Sequence, residues 1–176
     1  WTISTDGYEA TNIGIQMGNK DIARTLVGRI VGAAEKLGVK YVISPECGHA
    51  YSALKWEGPN LLGRAYDFEI IHIMELLDQL RREGRIKARG SDDQRLTFHD
   101  PCQIVRRGGV VDEPRHLMNM VASNFVEMDN CGTANICCGG GGGVSSNSRA
   151  EELRIKAFGS KKKQLDDVKP DAMVTA

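Results

Sequence analysis

The sequence has no excess of either charge: 23 Lys and Arg stand against 23 Asp and Glu in 176 residues. Without a net positive field, nothing draws the chain to nucleic acid or to an anionic membrane surface, so neither is expected as a partner. It has no apolar run near the roughly 20 residues that a bilayer-spanning helix needs, so no direct membrane span is expected. The N-terminus lacks the charged-then-apolar layout of a secretory signal. The expected location is the cytoplasm, or the cytoplasmic membrane's surface through another subunit. There is no C-x₂₋₄-C pair, the spacing that turns two thiolates onto one zinc ion. An even cysteine count is missing too: the five are Cys47, Cys102, Cys131, Cys137 and Cys138, and two of them are neighbours. That pattern is a poor disulfide framework and leaves metal or redox chemistry.

What is present is enough for one core or two small lobes, with 41% hydrophobic residues. Ile22, Leu26, Ile30, Ala33 and Leu37 recur at helical spacing between Asn19 and the terminating Gly38. The run Val39 to Ile43 reads as a buried strand delivering the segment SPECGHA. A helix is expected over about Arg64 to Glu83, closed by Gly84. Arg95 to His99 reads as a strand broken by Asp100-Pro101, which leaves Cys102 just past a strand end. A helix over Pro114 to Phe125, a strand at VEMD, a helix over Arg149 to Leu165 and a strand over Asp171 to Ala176 follow. Ser145 to Asn147 supply N-cap side chains for the last helix. Helix, connection and strand occur twice, at Lys20 to Ile43 and at Arg149 to Thr175, a weak internal repeat. That alignment sets Tyr8 opposite Cys138, so the first copy lacks the cysteine pair. The expected fold is α/β: two pseudo-repeated lobes, 1–90 and 91–176, with short parallel sheets flanked by helices.

The chemistry-bearing pattern is Cys102, then 34 residues, then Cys137-Cys138 followed by five glycines, Gly139 to Gly143. Thiolates are soft ligands suited to zinc or iron–sulfur centres. Adjacent cysteines normally point apart, so a ligand that takes both must be large, and an iron–sulfur cluster offers several irons. Five glycines are entropically expensive to order. They are explained if main chain must approach an inorganic core and aim N–H groups at its sulfides. A reduced, buried thiol pair beside a flexible loop is the plainer alternative.

HDPCQIVRRGG (His99 to Gly109), CCGGGGG (Cys137 to Gly143) and the terminal DAMVTA resemble the second cysteine-rich domain of the heterodisulfide reductase family, with its pattern C…CCG…C-x-x-C. WTISTDGYEA and SPECGHAY are most similar to the DsrK-type catalytic subunits of membrane-bound sulfur-metabolism complexes. The resemblance implies a noncubane [4Fe-4S] cluster that cleaves disulfide-type bonds in one-electron steps. Cys102, Cys137 and Cys138 match family ligands. Cys47 matches the first cysteine of a degenerate C-x-x-C whose second position is Ala50, a metal-site residue or one facing substrate. Gly139, Gly140 and Gly141 would line the cluster, with Arg106 offsetting its charge. His49 and His99 would donate protons to a departing thiolate. The implied partners are a membrane cytochrome b-type subunit, other subunits of the complex, and a small sulfur-carrier protein. The sequence stops where the C-x-x-C should begin and shows no ferredoxin-like segment, so a fragment inactive in isolation is expected. Cys131, His72 and His116 read as ordinary residues, with both histidines in helices. Lys161 to Lys163 read as a wet helix face. Two other functions fit the motifs: the iron–sulfur subunit of a glycolate or lactate oxidase, and a non-enzymatic zinc-binding module.

Overall fold

A computed structural model describes residues 1–7, 12–45 and 47–176. Tyr8, and Glu46 of SPECGHA, lie outside the described residues. The chain divides into two compact units, Trp1–Ile73 and Met74–Ala176.

In the first unit α1 (Asn12–Gln16) and α2 (Lys20–Leu37) lead to β1 (Tyr41–Ser44). Then come α3 (Gly48–Ser52), a π-helical turn (Ala53–Glu57), α4 (Gly58–Leu62) and β2 (Glu69–His72). Asn19 caps α2, its side chain accepting from the N–H groups of Asp21 and Ile22 at 3.1 Å each. Gly38, at φ +61°, closes the helix in the left-handed conformation. The buried stripe of α2 is Ala23, Leu26, Val27, Val31, Ala33 and Ala34. It is rotated by about one residue from the expected one, and Ile22 and Leu37 face solvent. β-branched Val27 and Val31, both fully buried, claim the interior. Each contributes about 1.5–3 kcal/mol of apolar burial. β1 and β2 pair in parallel from Tyr41 with Glu69 to Ser44 with His72. Of the helix expected across Arg64 to Glu83, only Ile73–Arg82 forms; Glu69–His72 is strand, and His72 ends that strand rather than lying in a helix. Glu69-Ile-Ile-His is a short apolar run whose periodicity cannot separate strand from helix.

The second unit runs α5 (Ile73–Arg82, beginning at the boundary), β3 (Asp92–His99), α6 (Glu113–Val121), β4 (Ala122–Phe125), α7 (Glu151–Val168) and β5 (Ala172–Thr175). The strand order is β4-β3-β5, all parallel. Each parallel neighbour is reached through a helix, as parallel pairing requires. The strand expected at VEMD lies four residues upstream, and only Val126 extends the ladder, donating to Leu96 O at 2.8 Å. Side chains alternate along β3. Leu96 and Phe98 face one way, into a core with Met118 that Phe125 and Val174 flank. Thr97 and His99 face the other way and are also buried. The strand ends at His99, so Asp100, Pro101 and Cys102 stand at the carboxyl edge of a parallel sheet, where ligands bind in open α/β folds. The fold class is α/β with two short parallel sheets, as expected.

Candidate metal centre

Asp100, buried to 1% exposure, organises the loop that carries Cys102. Its carboxylate is held in a fork by Arg115 and accepts from Gly132 N at 2.7 Å. Arg115 also reaches Glu127 at 2.9 Å. These two carboxylates raise its guanidinium pKa above the ordinary value against the opposing effect of burial, with the Asp100 hydrogen bond as the largest cause. The Asp100 carbonyl accepts from the side chain of Asn135, whose amide nitrogen also lies 3.5 Å from Cys102 Sγ. Arg106 donates to Thr133 O at 2.8 Å and to Asn135 O. Its guanidinium is thus spent on this loop, fixing the residue that touches Cys102. Neither Asp100 nor Asn135 was expected among the site residues. The only trace of Asp100 in the sequence was its place before Pro101.

Cys102 and Cys138 are half-buried and Cys137 is exposed. The Gly139 N–H donates to Cys137 Sγ at 3.3 Å. Gly139 has φ +72°, and a Cβ there would sit 2.6 Å from Arg154 O, so both conformation and space demand glycine. A Cβ on Gly140 would meet Cys138 Sγ at 3.5 Å. Gly141 precedes a 3₁₀ turn over Gly142–Ser146. Asn147 then accepts from Arg149 N at 3.0 Å, and α7 follows. Arg154 of α7 ties the loop back, donating to Gly139 O at 3.1 Å and Ser145 O at 3.3 Å. An open cleft of about 440 Å³ is lined by Cys138, Gly139, Gly140, Arg154, Ile155 and Phe158.

Lys161 is not on a wet face: it is 1% exposed, while Lys162 and Lys163 are exposed as expected. Burial pushes its ammonium below the usual lysine range, and the charges of Asp100, Cys138, Cys102 and Cys137 pull it back. His99 is buried too, and desolvation first, then the charge of Lys161, lowers its pKa. Several polar atoms here find no protein partner: Thr97 Oγ1, His99 Nδ1, Asn135 Oδ1 and both amide atoms of Gln164. Buried polar groups are nearly always satisfied, so such a set calls for something to bond. Among the described residues no three His, Cys, Asp or Glu side chains stand close enough to hold a single metal ion. Soft thiols, the unpartnered donors Thr97 Oγ1 and Gln164 Nε2, and a close-approaching glycine main chain fit a larger, sulfide-bearing group.

Cys47 and His49, also expected at the site, belong to the first unit. Cys47, in the first unit, caps α3, its Sγ accepting from Ala50 N at 3.5 Å. His49 lies in that same short helix. Burial first, and then the charge of Glu127, raises the pKa of Cys131. His116 in α6 pairs through Nδ1 with buried Asp78 at 3.2 Å.

A thiol-bearing loop at the carboxyl edge of a parallel sheet, walled by glycine, defines a cysteine-rich redox domain. Residues 96–176 match the cysteine-rich domain family CCG, and this part of the chain belongs to that family. It is 38% identical over 127 residues to a dihydromethanophenazine:CoB--CoM heterodisulfide reductase subunit of Methanosarcina mazei, covering 72% of this chain and 31% of that protein. It is 30% identical over 172 residues to the EtfAB:quinone oxidoreductase of Syntrophomonas wolfei, 98% of this chain and 23% of that one. It is also 30% identical over 190 residues to the Hdr-like menaquinol oxidoreductase iron-sulfur subunit of Archaeoglobus profundus, 88% and 34% respectively. The chain therefore spans about a third or less of these relatives. No solved structure matches it. By name all three relatives are oxidoreductases or subunits of them, and one is an iron–sulfur subunit. No helix among the described residues is long and apolar enough to cross a membrane.

Proposed function

We propose that the protein is the iron–sulfur subunit of a heterodisulfide-reductase-like complex. It passes electrons from membrane quinol, through a cytochrome b-type partner, to a disulfide or trisulfide on a small sulfur carrier. For a disulfide the balance is RSSR′ + 2e⁻ + 2H⁺ → RSH + R′SH. The observation that carries this reading is the glycine loop itself, whose Gly139 N–H lies on Cys137 Sγ at 3.3 Å and whose main chain leaves no room for a Cβ at Gly139. A cluster of the noncubane type, when bound, would supply electrons singly and iron for sulfur to bind. The three cysteines would hold it, and the Gly139 N–H, already on Cys137 Sγ, tunes the donor strength of that thiolate. Asn135 orients Cys102. His99, whose buried Nδ1 has no partner, is the proposed proton donor to a departing thiolate.

The test is anaerobic reconstitution of the intact protein with iron and sulfide, followed by electron paramagnetic resonance after oxidation with a disulfide substrate. Cys137→Ser is expected to lower iron retention and turnover by at least about tenfold. Unchanged turnover in that variant, with no cluster-derived signal in the wild type, would sink the proposal. Zinc without acid-labile sulfide would favour a binding module. One observation supports a second reading, a relay taking electrons from a flavin partner: the similarity to the EtfAB:quinone oxidoreductase extends over 98% of the chain. Reduction by an electron-transfer flavoprotein, with no activity on disulfides, would select the relay. Oxidation of 2-hydroxy acids by the intact complex would instead mark the glycolate or lactate oxidase type.

A further inference from the structure

Helix α7 is turned inside out. Its apolar residues Leu153, Ile155 and Phe158 are exposed at 66%, 66% and 40%, while Lys161 and Gln164 are buried at 1% and 6%. An amphipathic helix ordinarily does the reverse. Arg154 and Lys161 are seven residues apart and so share one face. That face is fixed toward the thiol loop, because Arg154 donates to Gly139 O and its own carbonyl abuts Gly139. Gln164, three residues beyond Lys161, leaves both amide atoms unpartnered. Among the described residues no hydrogen bond or ion pair closes on the Lys161 ammonium. Asp100, the carboxylate that attracts it, is already held by Arg115. A buried charge without a hydrogen-bonded partner of its own opposes folding, and an anion arriving beside it offsets that cost.

We propose that Lys161 is the built-in counter-charge of the thiolate site, its ammonium offsetting the negative charge of cysteine sulfur and sulfide and so holding the cluster's reduction potential up. This inference rests on the iron–sulfur reading of the site. Lys161 is a positioning and tuning residue here, distinct from the ligands themselves. The step it influences is addition of one electron to the cluster, which makes the centre more negative. A fixed positive charge at low local dielectric favours the more negative state.

The experiment compares wild type, Lys161→Met and Lys161→Arg of the intact protein, with cluster and without. In redox titrations followed by electron paramagnetic resonance, Lys161→Met is expected to shift the one-electron equilibrium toward the oxidised form by at least tenfold, a lowering of about 59 mV. Lys161→Arg, which keeps the charge, is expected to restore the wild-type potential. Without the cluster, Lys161→Met is expected to melt at a higher temperature than wild type, since it removes an unpaired buried charge. Loss of the cluster from Lys161→Met together with that higher melting temperature also supports the proposal. A lower melting temperature of the cluster-free variant marks Lys161 as structural and overturns it, as does an unchanged potential in a loaded variant. If the wild type itself takes up no iron and sulfide, the reading of the site fails and this inference falls with it. A loaded wild type with an indifferent Lys161→Met sinks the inference alone.

Discussion

Gly139 shows at the level of one residue why the cysteine doublet is followed by glycine. Its φ of +72° costs an L-residue about 1–2 kcal/mol. The 2.6 Å approach of an added Cβ to Arg154 O adds a clash with main chain that no rotamer change relieves. Gly139→Ala should therefore pull the loop off α7 and move the N–H that points at Cys137 Sγ. We expect a loss of more than about 1–2 kcal/mol in thermal unfolding, with reduced iron retention after reconstitution. Wild-type stability and iron content in that variant would show that the loop has room to spare. Asn135 works more quietly, joining Asp100 O to Cys102 Sγ with its amide nitrogen. The glycine run and the cysteines could be read from the sequence because their types are chemically unusual wherever they fall. Asp100, Asn135 and Lys161 could not, since each is an ordinary surface residue until the fold buries it.

Among elements, the joint between α5 and α6 depends on one buried carboxylate. Asp78, 4% exposed at its side chain, bonds Arg81 at 2.8 Å and His116 of α6 at 3.2 Å, with Arg82 at 3.4 Å. Burial, the largest single influence, would raise its pKa. The hydrogen bonds from Arg81 and His116 and their charges together outweigh it, leaving the carboxyl below its ordinary value. A depressed carboxylate stabilises the fold fully above the unfolded pKa of about 3.9, and that stabilisation drains as pH falls through the folded value. Asp78→Asn should cost about 1.5–3 kcal/mol at pH 7, toward the lower figure because Arg82 and His116 remain open to solvent and screened. The difference from wild type should vanish in acid, below the folded pKa. Urea titrations at pH 7 and at about pH 2.5 check both statements, and a gap that persists in acid would show that shape rather than charge holds the joint. Most elements were legible because caps and periodicity agree, as with Asn19 and Gly38 around α2. The failures came where a short run fits two periods, in Glu69-Ile-Ile-His and at Ala122 to Phe125, and tertiary pairing decided between them.

For the whole molecule, the proposed site makes cofactor binding a property of one unit. Cys102, Cys137, Cys138, Lys161 and Asp100 all belong to residues 74–176, and Cys47 belongs to residues 1–73. A ligand that binds only the folded form stabilises what it touches, by about 2.7 kcal/mol at a hundredfold excess over its dissociation constant. Removing the cluster from the intact protein should thus lower amide-exchange protection about a hundredfold in the strands and helices of the second unit. β3 and the start of α7, which flank the thiols, should change most, since exchange reports local opening. α2, whose core is Val27, Val31 and their neighbours, should exchange at an unchanged rate. Loss of protection in α3, where Cys47 caps the helix through Ala50 N, would assign that cysteine to the metal. A uniform loss across both units would instead mean that the cluster governs global unfolding, and cofactor binding would not be confined to the second unit.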